Sequence, residues 1–182
     1  NYWGFGLYEG TALSAAFRIV RDGTGDQVSI GTANNQSFAL WQNNTERMRL
    51  AVGGDVGIGA TPHTAGPTWR TLYVGSSATI ISRQAATGTD MMLANNHYID
   101  SSNVDKRITA GGTSRLFINE DVIRFQRSAT GAADSTITWS ESMRITADGN
   151  VGIGTTSPGA KLDVNSGISS SSTDVIKLSQ AT

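Results

Sequence analysis

In ERMRLAV (46–52), apolar Met48, Leu50 and Val52 alternate with Arg47 and Arg49. In SMRITAD (142–148), Met143, Ile145 and Ala147 alternate with Arg144, Thr146 and Asp148. A period of two predicts half-buried β-strands with their apolar positions turned inward. ALSAAFRIVR (12–21) has a helix-like composition, but AFRIVR alternates and runs into Asp22-Gly23, which predicts a strand. SRLFI (114–118) alternates less cleanly, because Phe117 interrupts the polar side. Glu120-Asp121 predicts a solvated hairpin tip between RLFIN and VIRF. Long helical patterns are missing, so the expected class is all-β, made of repetitive short strands and hairpins.

The alternating segments lead into two nearly identical glycine-rich phrases. GDVGIGATP occupies 54–62 and GNVGIGTTSP occupies 149–158. Met48, Arg49, Gly54, Val56, Gly57, Ile58 and Gly59 recur as Met143, Arg144, Gly149, Val151, Gly152, Ile153 and Gly154, at a constant offset of 95 residues. Pro62 recurs as Pro158 after one inserted residue. TLYV (71–74) resembles KLDV (161–164), and SSATIISRQAAT resembles SSSTDVIKLSQAT at the C-terminus. Such self-similarity predicts a repeat architecture. The modules are 1–74, a longer 75–164, and 165–182, a serine-rich linker (Ser169–Ser172) opening a further copy. TSRLFINEDVIRF (113–125) is a weaker echo and accounts for the extra length of the second module.

Asp148-Gly149 predicts a two-residue type I′ turn between strands at 142–147 and 150–154, and Gly53-Gly54 serves the same turn in the first copy. In VGIG, valine and isoleucine share one side and the glycines leave the other bare. Two glycines on one side of a strand predict the close approach of another backbone, from a second sheet or a second chain.

The glycine phrases have the G-x-x-x-x-G spacing of a phosphate loop, but Ala60 and Thr155 stand where the lysine belongs. Proline follows instead of a helix, so no helix N-terminus faces an anion. No nucleotide and no other cofactor is expected. A net charge of −1 supplies no basic field for nucleic acid. Zero cysteines exclude thiolate zinc sites and a cysteine nucleophile. His63 and His97 are far apart in the chain and form no metal-ligand pattern, so no metal is expected. Glu120, Asp121, Asp134 and Glu141 are not selected as a catalytic pair by any motif, and no G-x-S-x-G elbow is present. No apolar run reaches the length needed to span a bilayer. The charged share is 16%, against about 25% in a typical soluble domain, and suits a β-rich surface over a helical one. Large rings usually bury their area, so the aromatic residues are expected first in the core or between chains; Trp69 in PHTAGPTWR, then His97 and Tyr98 after the ANN turn, are the candidates for stacking on a sugar instead.

The segment SESMRITADGNVGIGTTSPGAKLDV (140–164) resembles the shaft repeats of bacteriophage tail fibres. These are the repeats found upstream of an endosialidase-type intramolecular chaperone domain. Residues 45–74 resemble them too, with Gly53 in place of the turn aspartate and Ala60 in place of the first threonine. The chaperone domain itself is not expected within this chain. The resemblance implies an intertwined homotrimeric β-fibre, of β-prism or triple β-helix type with small β-sandwich-like modules. It further implies a place in the virion tail, contacts with other tail proteins and a host surface receptor, a glycan by expectation. It supplies no catalytic residues. Two alternatives stay open: a non-viral surface adhesin or filament subunit, and a tailspike that degrades glycans.

Overall fold

The computed structural model describes residues 2–9, 12–21, 26–32, 36–64, 66–84 and 89–165, with backbone alone before residue 31. The Ser169–Ser172 linker and the start of a further copy lie outside the described residues. All regular structure in the described residues is β, as the alternation predicts. Strands β1 (Tyr2–Glu9), β2 (Ala12–Arg21) and β3 (Asp26–Thr32) form an antiparallel three-stranded sheet, so ALSAAFRIVR is a strand.

The main sheet has 11 strands. It begins with β4 (Phe38–Gln42), β5 (Thr45–Leu50), β6 (Val56–Ile58) and β7 (Trp69–Val74). It continues through β8 (Ala78–Arg83) and β9 (Met91–Asn95). A short ribbon, β10 (Tyr98–Ile99) with β11 (Asp105–Lys106), branches off before β12 (Gly111–Asn119) rejoins the sheet. The last strands are β13 (Val122–Gly131), β14 (Ser140–Ile145), β15 (Val151–Ile153) and β16 (Leu162–Val164). The two repeats have one topology. β4–β5–β6 and β13–β14–β15 pair antiparallel, and β6–β7 and β15–β16 pair parallel. The boundary drawn at 74/75 is no break in the sheet, since β7 pairs directly with β8 across it.

The repeated turn is a three-residue loop, which corrects the two-residue reading. Thr146 N–H donates to Asn150 O at 2.9 Å, and Gly149 N–H to Thr146 O at 2.8 Å. The same pair of bonds joins Ala51, Asp55 and Gly54 in the first copy. Of the central residues only the third has positive φ, 72° at Gly149 and 88° at Gly54. This is the type I turn with a left-handed residue after it, and not type I′. Asp148 and Gly53 therefore exchange freely, because that position needs no glycine. Type I′ geometry occurs instead at Asn43-Asn44, where both φ values are positive (50° and 56°) between β4 and β5. Glu120-Asp121 is the tip joining β12 and β13, as read from the sequence.

The glycines of VGIG meet their own chain. A Cβ on Gly57 would overlap the Ala60 carbonyl oxygen and reach Pro62 Cδ at 2.9 Å; one on Gly152 would stand 2.6 Å from the Thr155 carbonyl oxygen. The approaching backbone is thus the loop three residues ahead, turning back over the strand. Gly59 and Gly154 serve a different need: both have positive φ, 64° and 71°.

The strict alternation of ERMRL is also modified. A register shift falls opposite Leu40/Trp41 in β4, where Met48 and then Glu46 are paired; β14 repeats it opposite Phe125/Gln126 with Met143 and Glu141. The extra residue, Arg47 or Ser142, turns the carboxylate to the side of the arginine three positions on. Arg49 Nε then donates to Glu46 Oε1 at 2.7 Å, and Arg144 Nε to Glu141 Oε1 at 2.5 Å.

The two sides of the main sheet are unequal, and their roles invert the sequence reading. Trp69, Ile81, Met92 and Ile99 form the buried core, with Phe117 packed against it. They lie on the side covered by the ribbon and by the segment between β13 and β14. The opposite side carries one apolar row through every strand. It runs Phe38–Leu50–Val56–Leu72–Ile80–Leu93, each residue facing the next. It continues Leu93–Leu116–Phe125–Met143–Ile153–Val164. This row is open: Leu50 is 43% exposed, Leu93 51% and Ile153 40%, whereas Ile81 is 0%. The apolar positions expected to face inward are the uncovered ones, and Phe117, which interrupts the polar side, is a core contact.

Candidate functional site

Two excursions roof the covered side of the sheet. The first leaves β9 at Asn96 and returns at β12; the second spans the residues between β13 and β14. Asn96, with φ 52°, closes the first. Its side-chain amide donates to Thr109 O (3.0 Å) and Gly112 O (3.1 Å), and its Oδ1 accepts from Thr109 N–H (2.7 Å). Asparagine tolerates the left-handed conformation and has both a donor and an acceptor for such a closure.

Arg107 ties the excursions together. Its guanidinium is buried and has no carboxylate partner. It donates to the carbonyl oxygens of Gly111 (3.2 Å), Thr136 (2.9 Å) and Ala129 (2.7 Å), and to the hydroxyls of Ser135 (3.0 Å) and Ser128 (2.9 Å). Such a fork is fully used, and that is the condition for burying a guanidinium without large cost.

Asp105 sits at the centre of the roof. One oxygen accepts from His97 Nε2 at 2.7 Å, the other from Trp139 Nε1 at 2.8 Å. Arg115 Nη1 lies 3.5 Å away, and its guanidinium stacks 4.1 Å from the Trp139 ring centre. Burial alone would raise the Asp105 carboxyl. The hydrogen bond from His97, with the charge of Arg115 and the Trp139 N–H, outweighs it and holds the group below the usual carboxylate range. Burial lowers His97 and prevails over the pull of Asp105, so the imidazole is neutral near pH 7.

A second cluster joins the glycine loop to the roof. The His63 ring stacks on Tyr98 with centroids 4.1 Å apart, and Tyr98 donates to Asp134 Oδ1 at 2.8 Å. Burial first, then the Asp134 carboxylate, push the Tyr98 hydroxyl up to about 12.

The three receptor-contact candidates are all interior. Trp69 belongs to the core, with Arg83 stacked 4.6 Å from its ring centre. His97 is 0% exposed, and Tyr98 is buried beside it. None of the three offers a ring face to a sugar; they hold the roof on the sheet. Among the described residues no group of three or more metal-ligating side chains occurs. The carboxylates considered for catalysis are dispersed: Glu141 pairs with Arg144, Asp134 with Tyr98, and Glu120 and Asp121 lie exposed at a hairpin tip. Among the described residues no helix follows either glycine phrase, and no helix is long and apolar enough to cross a membrane.

Sequence reasoning missed Asp105, Arg107, Asn96 and Arg115. Asp105 and Arg107 lie in a segment without periodicity, Asn96 in a turn and Arg115 on the polar side of β12, and their partners are up to 34 residues away. Fold and sites together define a repeat-built, all-β protein whose polar networks secure loops to one side of a sheet. Compared with known families, the chain matches no family model. Compared with curated proteins, it matches none.

Proposed function

We propose that this chain is a structural and host-adhesion segment of a bacteriophage tail fibre, self-associating as a homotrimer in the virion tail. Its partners are its own copies, other tail proteins and a surface glycan of the host. The observation that carries this reading is the way the two repeats are laid out. Each contributes the same strand–turn–strand–parallel-strand unit, and the units are joined side by side in one sheet. A sheet that grows by repeating a unit lengthens in one direction, which is the geometry a shaft requires. The shaft-repeat resemblance of residues 140–164 and 45–74 supports the same reading.

The hydrogen-bonded side chains of the roof have structural partners, and the reading assigns them no chemistry. Adhesion, in this view, uses the exposed loops and not Trp69, His97 or Tyr98. The test is to raise antibodies to the chain and label purified virions by immunogold microscopy. Label along tail fibres is the expected result. Label absent from particles whose mass spectrum also lacks the chain would refute it. Incubation with host polysaccharide, read by chain length, checks for glycan cleavage; reproducible shortening would replace the structural reading with an enzymatic one.

A further inference from the structure

Among the described residues, the apolar row that crosses the main sheet is left uncovered along most of its length, with Leu50 43%, Ile80 42%, Leu93 51%, Phe125 43% and Ile153 40% exposed. We propose that this sheet face is where copies of the chain pack against one another, face to face, with the rows interdigitated in a dry core. The inference rests on the reading of the chain as a self-associating fibre segment, and assigns the surface through which it does so.

Four observations select a second copy as the occupant. First, the row is complete: every one of the 11 strands contributes an apolar residue at one level, without a charge among them. Second, it is deep. A neighbouring row, Leu40–Met48–Ile58–Val74, continues it on β4 to β7. On the other flank, Met91–Ile118–Ile123–Ile145–Val151–Leu162 continues it on β9 to β16. Ten strand gaps of about 4.8 Å and two rows about 7 Å wide make roughly 700 Å². A standard stable interface buries about 800 Å² per partner. Monomeric proteins seldom leave an apolar patch larger than about 300–600 Å² open.

Third, the repeat makes the face self-similar. Met48, Leu50 and Ile58 in one half are matched by Met143, Ile145 and Ile153 in the other, on paired strands of the same register. A surface that repeats itself presents a second copy with the same spacing of knobs and gaps. Fourth, the net charge of −1 gives two copies little reason to repel. The alternative route, pairing through β4 and β16 at the two ends of the described strand order, would leave the whole face in water.

The absence of cysteine makes the test direct. Leu93→Cys puts a thiol in the centre of the face; Ala133→Cys puts one in an exposed loop of the roof. Each variant of the full chain is oxidised at micromolar concentration and resolved on a non-reducing gel, with sedimentation of the wild type alongside. The expected result is a wild type heavier than its 19.2 kDa monomer, and covalent dimer from Leu93→Cys at least tenfold faster than from Ala133→Cys. Leu93→Glu is expected to sediment as a monomer with its β circular dichroism retained; should it not fold, the cysteine pair still decides.

A monomeric wild type with the Leu93→Cys thiol freely reactive would overturn the proposal. So would a monomer in which that thiol is protected, since the chain would then be covering its own face. Equal cross-linking of both variants would overturn it as well. Immunogold labelling is independent of these results, so failure of the virion reading and failure of this interface are told apart.

Discussion

Gly57 lies against the carbonyl oxygen of Ala60, so close that a Cβ on the glycine would overlap it. The second repeat builds the same contact between Gly152 and Thr155, slightly looser at 2.6 Å. These glycines are fixed by the loop of their own chain, and their conservation between repeats is a requirement of the unit's fold.

Gly57→Ala and Gly152→Ala should each destabilise the protein. The loop has to move, a cost of about 1–3 kcal/mol by the usual scale of overpacking. Gly57→Ala should cost more than Gly152→Ala, and Gly57→Ala should cost more than Gly59→Ala. At Gly59 the space is open, and the loss is the conformational penalty of about 1 kcal/mol alone. Denaturant midpoints of the three variants check the order.

Asp105 is the shared acceptor of His97, Trp139 and Arg115. Asp105→Ala leaves those donors without it and should cost roughly 2–4 kcal/mol. Trp139→Phe removes one donor and keeps most of the ring, so it should cost less. Thermal melts of both variants, followed by far-UV circular dichroism, measure the difference.

Acid should unfold the protein earlier than its carboxylates alone would predict. His97 and His63 are both held below the ordinary histidine value of 6.5, chiefly by burial. The unfolded chain therefore takes up protons first as pH falls through about 6.5. Stability is full above that value and declines below it, until the folded forms also titrate. Asp105, held below its ordinary value, adds a further loss at lower pH. A melting temperature that drops between pH 7 and pH 5 is expected. His97→Gln, which cannot take up a proton, should flatten part of that drop.

Glu120 has φ 53° at a two-residue hairpin tip, a conformation that disfavours a side chain. Glu120→Gly should stabilise by about 0.5–1 kcal/mol, the left-handed penalty less the added freedom of the unfolded chain. A rise in the denaturant midpoint with an unchanged slope is the expected readout.

Much of the fold was legible because it is local. Alternation marked β2, β5 and β14, the fixed offset marked the shared unit, and Glu120-Asp121 marked a tip. The turn type was misread at Asp148-Gly149, because the same dipeptide serves a three-residue loop as readily as a two-residue one. The site was far less legible. Arg107 reaches acceptors 21 to 29 residues away, and the His97–Asp105 pair lies in a segment without period.

By itself, the sequence determined the alternation within β2, β5 and β14 and the repeat of the unit, since period two sends alternate side chains to opposite sides whatever surrounds them; the register that lines these positions into one row is tertiary. Which side is covered was decided only in three dimensions. Periodicity separates two sides of a strand but is blind to what lies over them. Here the excursions after β9 and β13 carry Ile99 onto the side of Trp69, Ile81 and Phe117, and Trp139 onto Arg115. The apolar row of Leu50, Leu93 and Ile153 is left open, because both excursions fall on the other side.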